Sequence, residues 1–201
     1  MPFPNRSVQR TTKSAHKSAG SSPRIMIIST VAVALIVLLA LGTVLYKERK
    51  VERRYVTNFI QVIYGINTGK DLCINNSAKL VSDWEVNLAA RQNIIPSVNI
   101  RDKSRMIFVK IETDEYRRKI GETPQKYFNI KDDLDKLYAR YAVLHALIID
   151  PAGTLPEFNA EVNYAASEYK QAAEQLKANL PPEMTEALKS AKDRYISLRN
   201  F

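Results

Sequence analysis

The chain is poor in the residues that most often carry chemistry. Its one cysteine, Cys73, excludes an intramolecular disulfide, so the fold must rest on packing. It has only two histidines, His16 and His145, and no second cysteine, which leaves too few ligands for a zinc site or members for a triad. A haem attachment through CxxCH is excluded on the same count. A carboxylate metal site in a helical bundle needs Glu-x-x-His on an inward face, and the residue three before His145 is Ala142. His145 therefore reads as a residue at the edge of a core.

Glycines are few, and the fragment GINTGKD at residues 65–71 fails as a phosphate loop. One residue is missing between the glycines, and Asp71 stands where a magnesium-binding Ser or Thr belongs. Asp132, Asp133 and Asp135 lack the glycine and spacing of a calcium loop and read as a solvated first turn matched to a helix dipole. These absences predict no cofactor, no metal and no enzyme. No stretch alternates with period two, which predicts no sheet.

One long uncharged run is present. Residues 25–46 hold 22 residues without Asp, Glu, Lys, Arg, His, Asn, Gln or Pro. As a helix they span roughly 33 Å at about 1.5 Å per residue, against a bilayer core of about 30 Å. Lipid cannot satisfy backbone amides, so such a run is read as a single transmembrane helix. A cleavable signal is the alternative, with Ala40 and Gly42 as its small residues. The run is longer than the h-region of a signal, and the 24 residues before it are long for an n-region.

The net charge of +9 would suggest nucleic acid if it lay in the folded part, but it does not. Residues 1–24 carry Arg6, Arg10, Lys13, Lys17 and Arg24 with no acid. The block KERKVERR, residues 47–54, adds Lys47, Arg49, Lys50, Arg53 and Arg54 against two acids, and everything after it is +1. The excess flanks the apolar run. It predicts contact with anionic lipid headgroups and no nucleic acid. A tail of five positive charges is hard to translocate, which places the N-terminus in the cytoplasm and residues 47–201 outside it, in a bacterial inner membrane.

Three domains follow: a disordered basic tail (1–24), the membrane helix (25–46) and a helical domain (47–201). Val51, Tyr55, Phe59, Val62 and Ile66 step at helical spacing directly after the run, so the anchor is expected to continue as a stalk. Leu80, Trp84 and Leu88 resume the stripe, and IIPSVN at residues 94–99 ends it. A second helix is expected over residues 100–121, with Ile107, Ile111 and Ile120 inward. Thr123 before Pro124 resembles an N-cap with proline at the first helical position.

Leu134, Leu137, Tyr141, Leu144 and Ile148 form the seam of a third helix, and DPAGTLP at residues 150–156 is a turn. Phe158, Val162, Ala165, Tyr169, Ala172 and Leu176 form a fourth seam, whose small residues would also suit a coiled coil with another chain. Met184, Leu188, Ala191, Tyr195 and Leu198 form a fifth after Pro181-Pro182. The fold class is all-α: a membrane helix continuing into an antiparallel bundle or long helical hairpins. Within residues 66–79 the stripe is broken by Asn67, Thr68, Asn75 and Asn76. That reads first as a kink or short loop and second as a polar layer able to serve a small ligand.

In layout the chain is similar to the sensory half of bacterial chemoreceptors, where a short tail and a membrane helix lead into an extracytoplasmic four-helix bundle. The resemblance implies a small-ligand-sensing module that signals to a partner. It departs after the bundle, where Glu183, Glu186, Lys189, Lys192, Asp193, Arg194 and Arg199 leave no returning membrane helix. The primary expectation is a non-enzymatic scaffold, assembly factor or accessory subunit that works by protein contacts or self-association.

Overall fold

The structure, a computed structural model, describes residues 23–121 and 123–201, and the side chains of residues 23–41, 44 and 200 lie outside that description. Arg6, Arg10, Lys13 and Lys17 thus fall outside the described residues, and the side chains of Arg24 and of most of the 25–46 run fall outside the description. Among the described residues no helix is long and apolar enough to cross a membrane. The chain divides into two compact units, Met1–Tyr46 and Lys47–Phe201.

All regular structure among the described residues is helical. α1 (Pro23–Ala89), α2 (Ile100–Lys119), α3 (Phe128–Ile149), α4 (Leu155–Asn179) and α5 (Pro182–Lys192) follow in order, with 3-10 turns at Gln125–Tyr127 and Ile196–Asn200. Local chemistry sets the boundaries. Asn99 caps α2 by accepting the Asp102 N–H at 2.9 Å. Thr154 and Glu157 form a capping box at the start of α4, after a turn in which Gly153 takes φ +79. Pro182 opens α5, where its missing N–H costs nothing.

Contacts between helices give the topology of the second unit. Lys79 with Asp102, Asn76 with Met106 and Asn58 with the Lys119 carbonyl run α2 antiparallel to α1. Tyr55 stacks on Tyr127 at 5.0 Å and Gly69 faces Tyr141, so α3 returns parallel to α1. Trp84 meets Phe158 and Asn67 meets Tyr169, which sends α4 back down. Glu183 reaches Tyr127 while Tyr195 packs on Tyr64, so α5 and its 3-10 turn climb beside the first half of this stretch of α1. The result is an up-down-up-down four-helix bundle with a short fifth helix.

Several expectations are corrected. Residues 66–79 are not a loop: α1 runs through them as helix, and its glycines lie where neighbouring side chains press closest. Ile120 is buried as expected, but Ile107 and Ile111 are exposed, and α2 turns Met106 and Thr113 inward instead. Val51 and Leu88 are exposed because they lie beyond the two end layers of the core, Tyr55 on Tyr127 and Trp84 on Phe158. Thr123 caps nothing, since Pro124 precedes a 3-10 turn and α3 begins only at Phe128. The first turn of α3 consequently holds no acid, and Asp133 is buried rather than solvated.

Candidate functional site

Three of the buried polar residues, Asn67, Asn76 and Ser77, lie on the middle of α1. Asn67 and Asn76 are 1% and 3% exposed, Thr68 is half-buried and Asn75 is exposed, so the stretch splits between inner and outer faces of one helix. Asn67 donates to the Ser197 carbonyl and accepts from the Tyr169 hydroxyl at 3.3 Å. Thr68 donates to the Ser197 hydroxyl at 2.9 Å. One polar layer thereby ties α1 to α4 and to the C-terminal turn. Asn76 donates to the Leu72 carbonyl at 2.9 Å and contacts Met106 Sδ at 3.7 Å.

Elsewhere the core holds polar atoms without partners. The hydroxyls of Tyr55 and Tyr141 and Nε2 of His145 are buried with no hydrogen bond. Tyr141 meets His145 edge-on at 5.9 Å. Burial pushes the Cys73 thiol up to about 12 and the Tyr141 and Tyr169 hydroxyls upward, and it holds the His145 imidazole below its ordinary value. Every shift favours the neutral form. Cys73 is therefore kept as an unreactive thiol, and none of these groups is activated as a nucleophile.

Charged groups collect at the α2–α3 seam, around a groove of about 570 Å³. Lys110 pairs with Asp114 at 2.9 Å and donates to the Tyr138 hydroxyl at 3.0 Å, and that hydroxyl donates to Asp114. Arg117 lies 3.8 Å over the Tyr138 ring and pairs with Asp135 at 2.7 Å, which Lys131 also reaches at 2.6 Å. Burial opposes ionisation of Asp114 and Asp135, but these donors prevail and hold both carboxyls below the ordinary range. The charges satisfy one another, so the seam is a clamp between helices. Among the described residues no group of three or more His, Cys, Asp or Glu is placed to hold a metal.

On the opposite face of α2, Ile100, Ile107, Phe108 and Ile111 form an outward strip, with Ile100 86% and Phe108 60% exposed. Lys47, Arg49, Lys50, Arg53 and Arg54 are exposed on α1, and none forms an ion pair with a described residue. Asp133 was not legible as special. The carboxylate of Asp133 accepts from Gln175 at 3.0 Å and Asn179 at 2.7 Å, partners more than forty residues away. No family model, curated protein or solved structure matches the chain.

Proposed function

We propose that this chain is a single-pass membrane protein whose helical bundle acts as a non-enzymatic scaffold, assembly factor or accessory subunit through protein contacts. Residues 25–46 are the anchor, the N-terminus is cytoplasmic, and the bundle lies outside, in a bacterial inner membrane. The outward strip of α2 is the observation that carries the protein-contact role. Scattered exposed apolar residues are ordinary, but four on one helical face beside a well-filled core form a contiguous patch of the kind that marks an interaction site. The anchor rests on the length and composition of the apolar run and on the basic residues that flank it.

The test is photocrosslinking from position 108 in native membranes, followed by mass spectrometry. Recovery of a distinct protein is expected; a chain recovered only with itself overturns the accessory role. Alkaline carbonate extraction checks the anchor, which is expected to keep the chain in the membrane pellet, and protease protection of a C-terminal tag checks sidedness.

The unpartnered Tyr141 hydroxyl and His145 Nε2 favour a second reading, a bundle that senses a small polar ligand and reports to a partner by helix displacement. A small-molecule screen that raises the melting temperature of the wild type but not of a Tyr141→Phe variant would support it. A screen without any stabilising compound would remove it.

A further inference from the structure

The bundle has one end through which α1 enters it, and that end carries a second apolar feature. α3 runs parallel to α1, so the turn before it lies level with the first residues of the second unit: Lys126 pairs with Glu52 at 3.1 Å, and Tyr127 stacks on Tyr55. Between them lies a shallow groove of about 830 Å³, floored by Val51 and walled by Pro124 and Phe128, with Lys47 at its edge. Phe128 is 54% exposed although it begins a helix whose next core residue, Ile130, is 3% exposed. Nothing in the packing of the bundle calls for an aromatic ring at that position.

We infer that this turn is an interfacial foot: Phe128 and Pro124 enter the headgroup layer of an anionic bilayer while Lys47, Arg49, Lys50, Arg53 and Arg54 bind its phosphates. The inference rests on the reading of residues 25–46 as the anchor, and it adds a second attachment that residues 47–54 alone do not supply. Two observations single out a lipid surface as the occupant. Lys47, which lines the groove, is bonded directly to the last residue of the apolar run. Residues 47–54 carry five exposed basic side chains without described ion pairs against Glu48 and Glu52; Lys47 and Lys126 line the groove itself, and Lys126 pairs with both Glu52 and Glu183. Each free Lys or Arg at an anionic surface contributes about 1 kcal/mol, and an aromatic ring at that depth is in its preferred environment.

A foot at this end would fix the tilt and rotation of the bundle on the membrane. A single helix leaves both free. The strip on α2 would then face along the membrane at a set height.

The test uses the full chain in vesicles of phosphatidylcholine and phosphatidylglycerol doped with a nitroxide lipid. A fluorescent thiol label is placed by Phe128→Cys, Ile36→Cys or Val86→Cys, each a single variant; the native Cys73 is buried and does not compete for the label. Val86 lies 64% exposed on α1, about 58 Å beyond Lys47 at about 1.5 Å per residue. Labels at 128 and 36 are expected to be quenched and the label at 86 to keep its full intensity. Quenching at 36 without quenching at 128 overturns the foot and leaves the anchor standing. Absence of quenching at both overturns the anchor as well. Equal quenching at 86 and 128 means that the bundle lies flat and also overturns the foot. In vesicles of phosphatidylcholine alone, quenching at 128 is expected to weaken, and its persistence in full would overturn the role given to the basic residues.

Discussion

Gly69 of α1 lies directly against the ring of Tyr141 of α3: a Cβ on Gly69 would stand 2.3 Å from the hydroxyl oxygen and 2.5 Å from Cζ. Gly65, one turn earlier, bears the same relation to Thr113 of α2, whose Oγ1 would be 2.2 Å from the added carbon. Two glycines within one helix normally weaken it. Here, one turn apart on the same face, they let α1 approach two neighbours at once. The resemblance of residues 65–71 to a phosphate loop comes from this packing requirement.

Gly69→Ala is expected to destabilise the chain even though alanine is the better helix former. The ring of Tyr141 is buried and cannot swing away, so the added methyl forces displacement costing about 1–3 kcal/mol, which exceeds the roughly 1 kcal/mol gain in propensity. Chemical denaturation of the full chain in detergent checks this. A rise in the unfolding midpoint would mean that α1 and α3 are not in contact there.

Tyr141→Phe is expected to be neutral or stabilising. The hydroxyl is buried without a partner, so its removal abolishes a desolvation penalty of about 1–3 kcal/mol and breaks no hydrogen bond. Tyr169→Phe serves as the opposite case, since its hydroxyl donates to Asn67 and its loss leaves that amide oxygen short of a donor. Thermal melts of the two variants should move in different directions, or Tyr169→Phe should fall by clearly more.

The helical class and the boundaries near residues 94–99, 150–156 and 180–182 were legible because spacing and turn residues are local signals. The orientation of α2 was not. Its sequence carries apolar residues on two faces, Met106 with Ile120 and Ile107 with Ile111, and periodicity identifies a stripe without saying which stripe meets the core. The polar stretch around Asn67 was read as a break because its partners, Tyr169 and Ser197, lie 102 and 130 residues away. Asp133 was read as solvated for the same reason. Local patterning cannot see a distant amide.

The two faces of α2 supply a direct comparison. Met106 is fully buried and Phe108 largely exposed. Met106→Ala is expected to cost about 2–5 kcal/mol, as for other large-to-small changes in a core. Phe108→Ser should stay within about 0.5 kcal/mol while weakening capture of a partner in native membranes. Equal losses of stability would show that the outward strip packs against the chain itself.

Stability is expected to fall in two separate steps as the solution is acidified. His145 is buried, and burial, with the nearby Lys110 charge, holds its folded value below the ordinary 6.5, against opposing contributions from the Met106 backbone and Asp114. The folded chain therefore binds fewer protons than the unfolded chain once the pH drops below about 6.5, and each further decrease favours unfolding until the folded value is passed. Asp114 and Asp135 are held below the ordinary 3.8 by their lysine and arginine partners, so their contribution is intact above that value and lost only beneath it. His145→Gln should abolish the first step and leave the second unchanged, whereas Arg117→Ala, which removes a partner of Asp135, should shrink the second and spare the first. Urea midpoints measured across about pH 5.5 to 7.5, roughly the range in which the imidazole titrates and the carboxylates do not, check the first half of this: a wild type as flat as His145→Gln would mean that the imidazole is hydrated in the folded chain and that the α2–α3 seam is open to water.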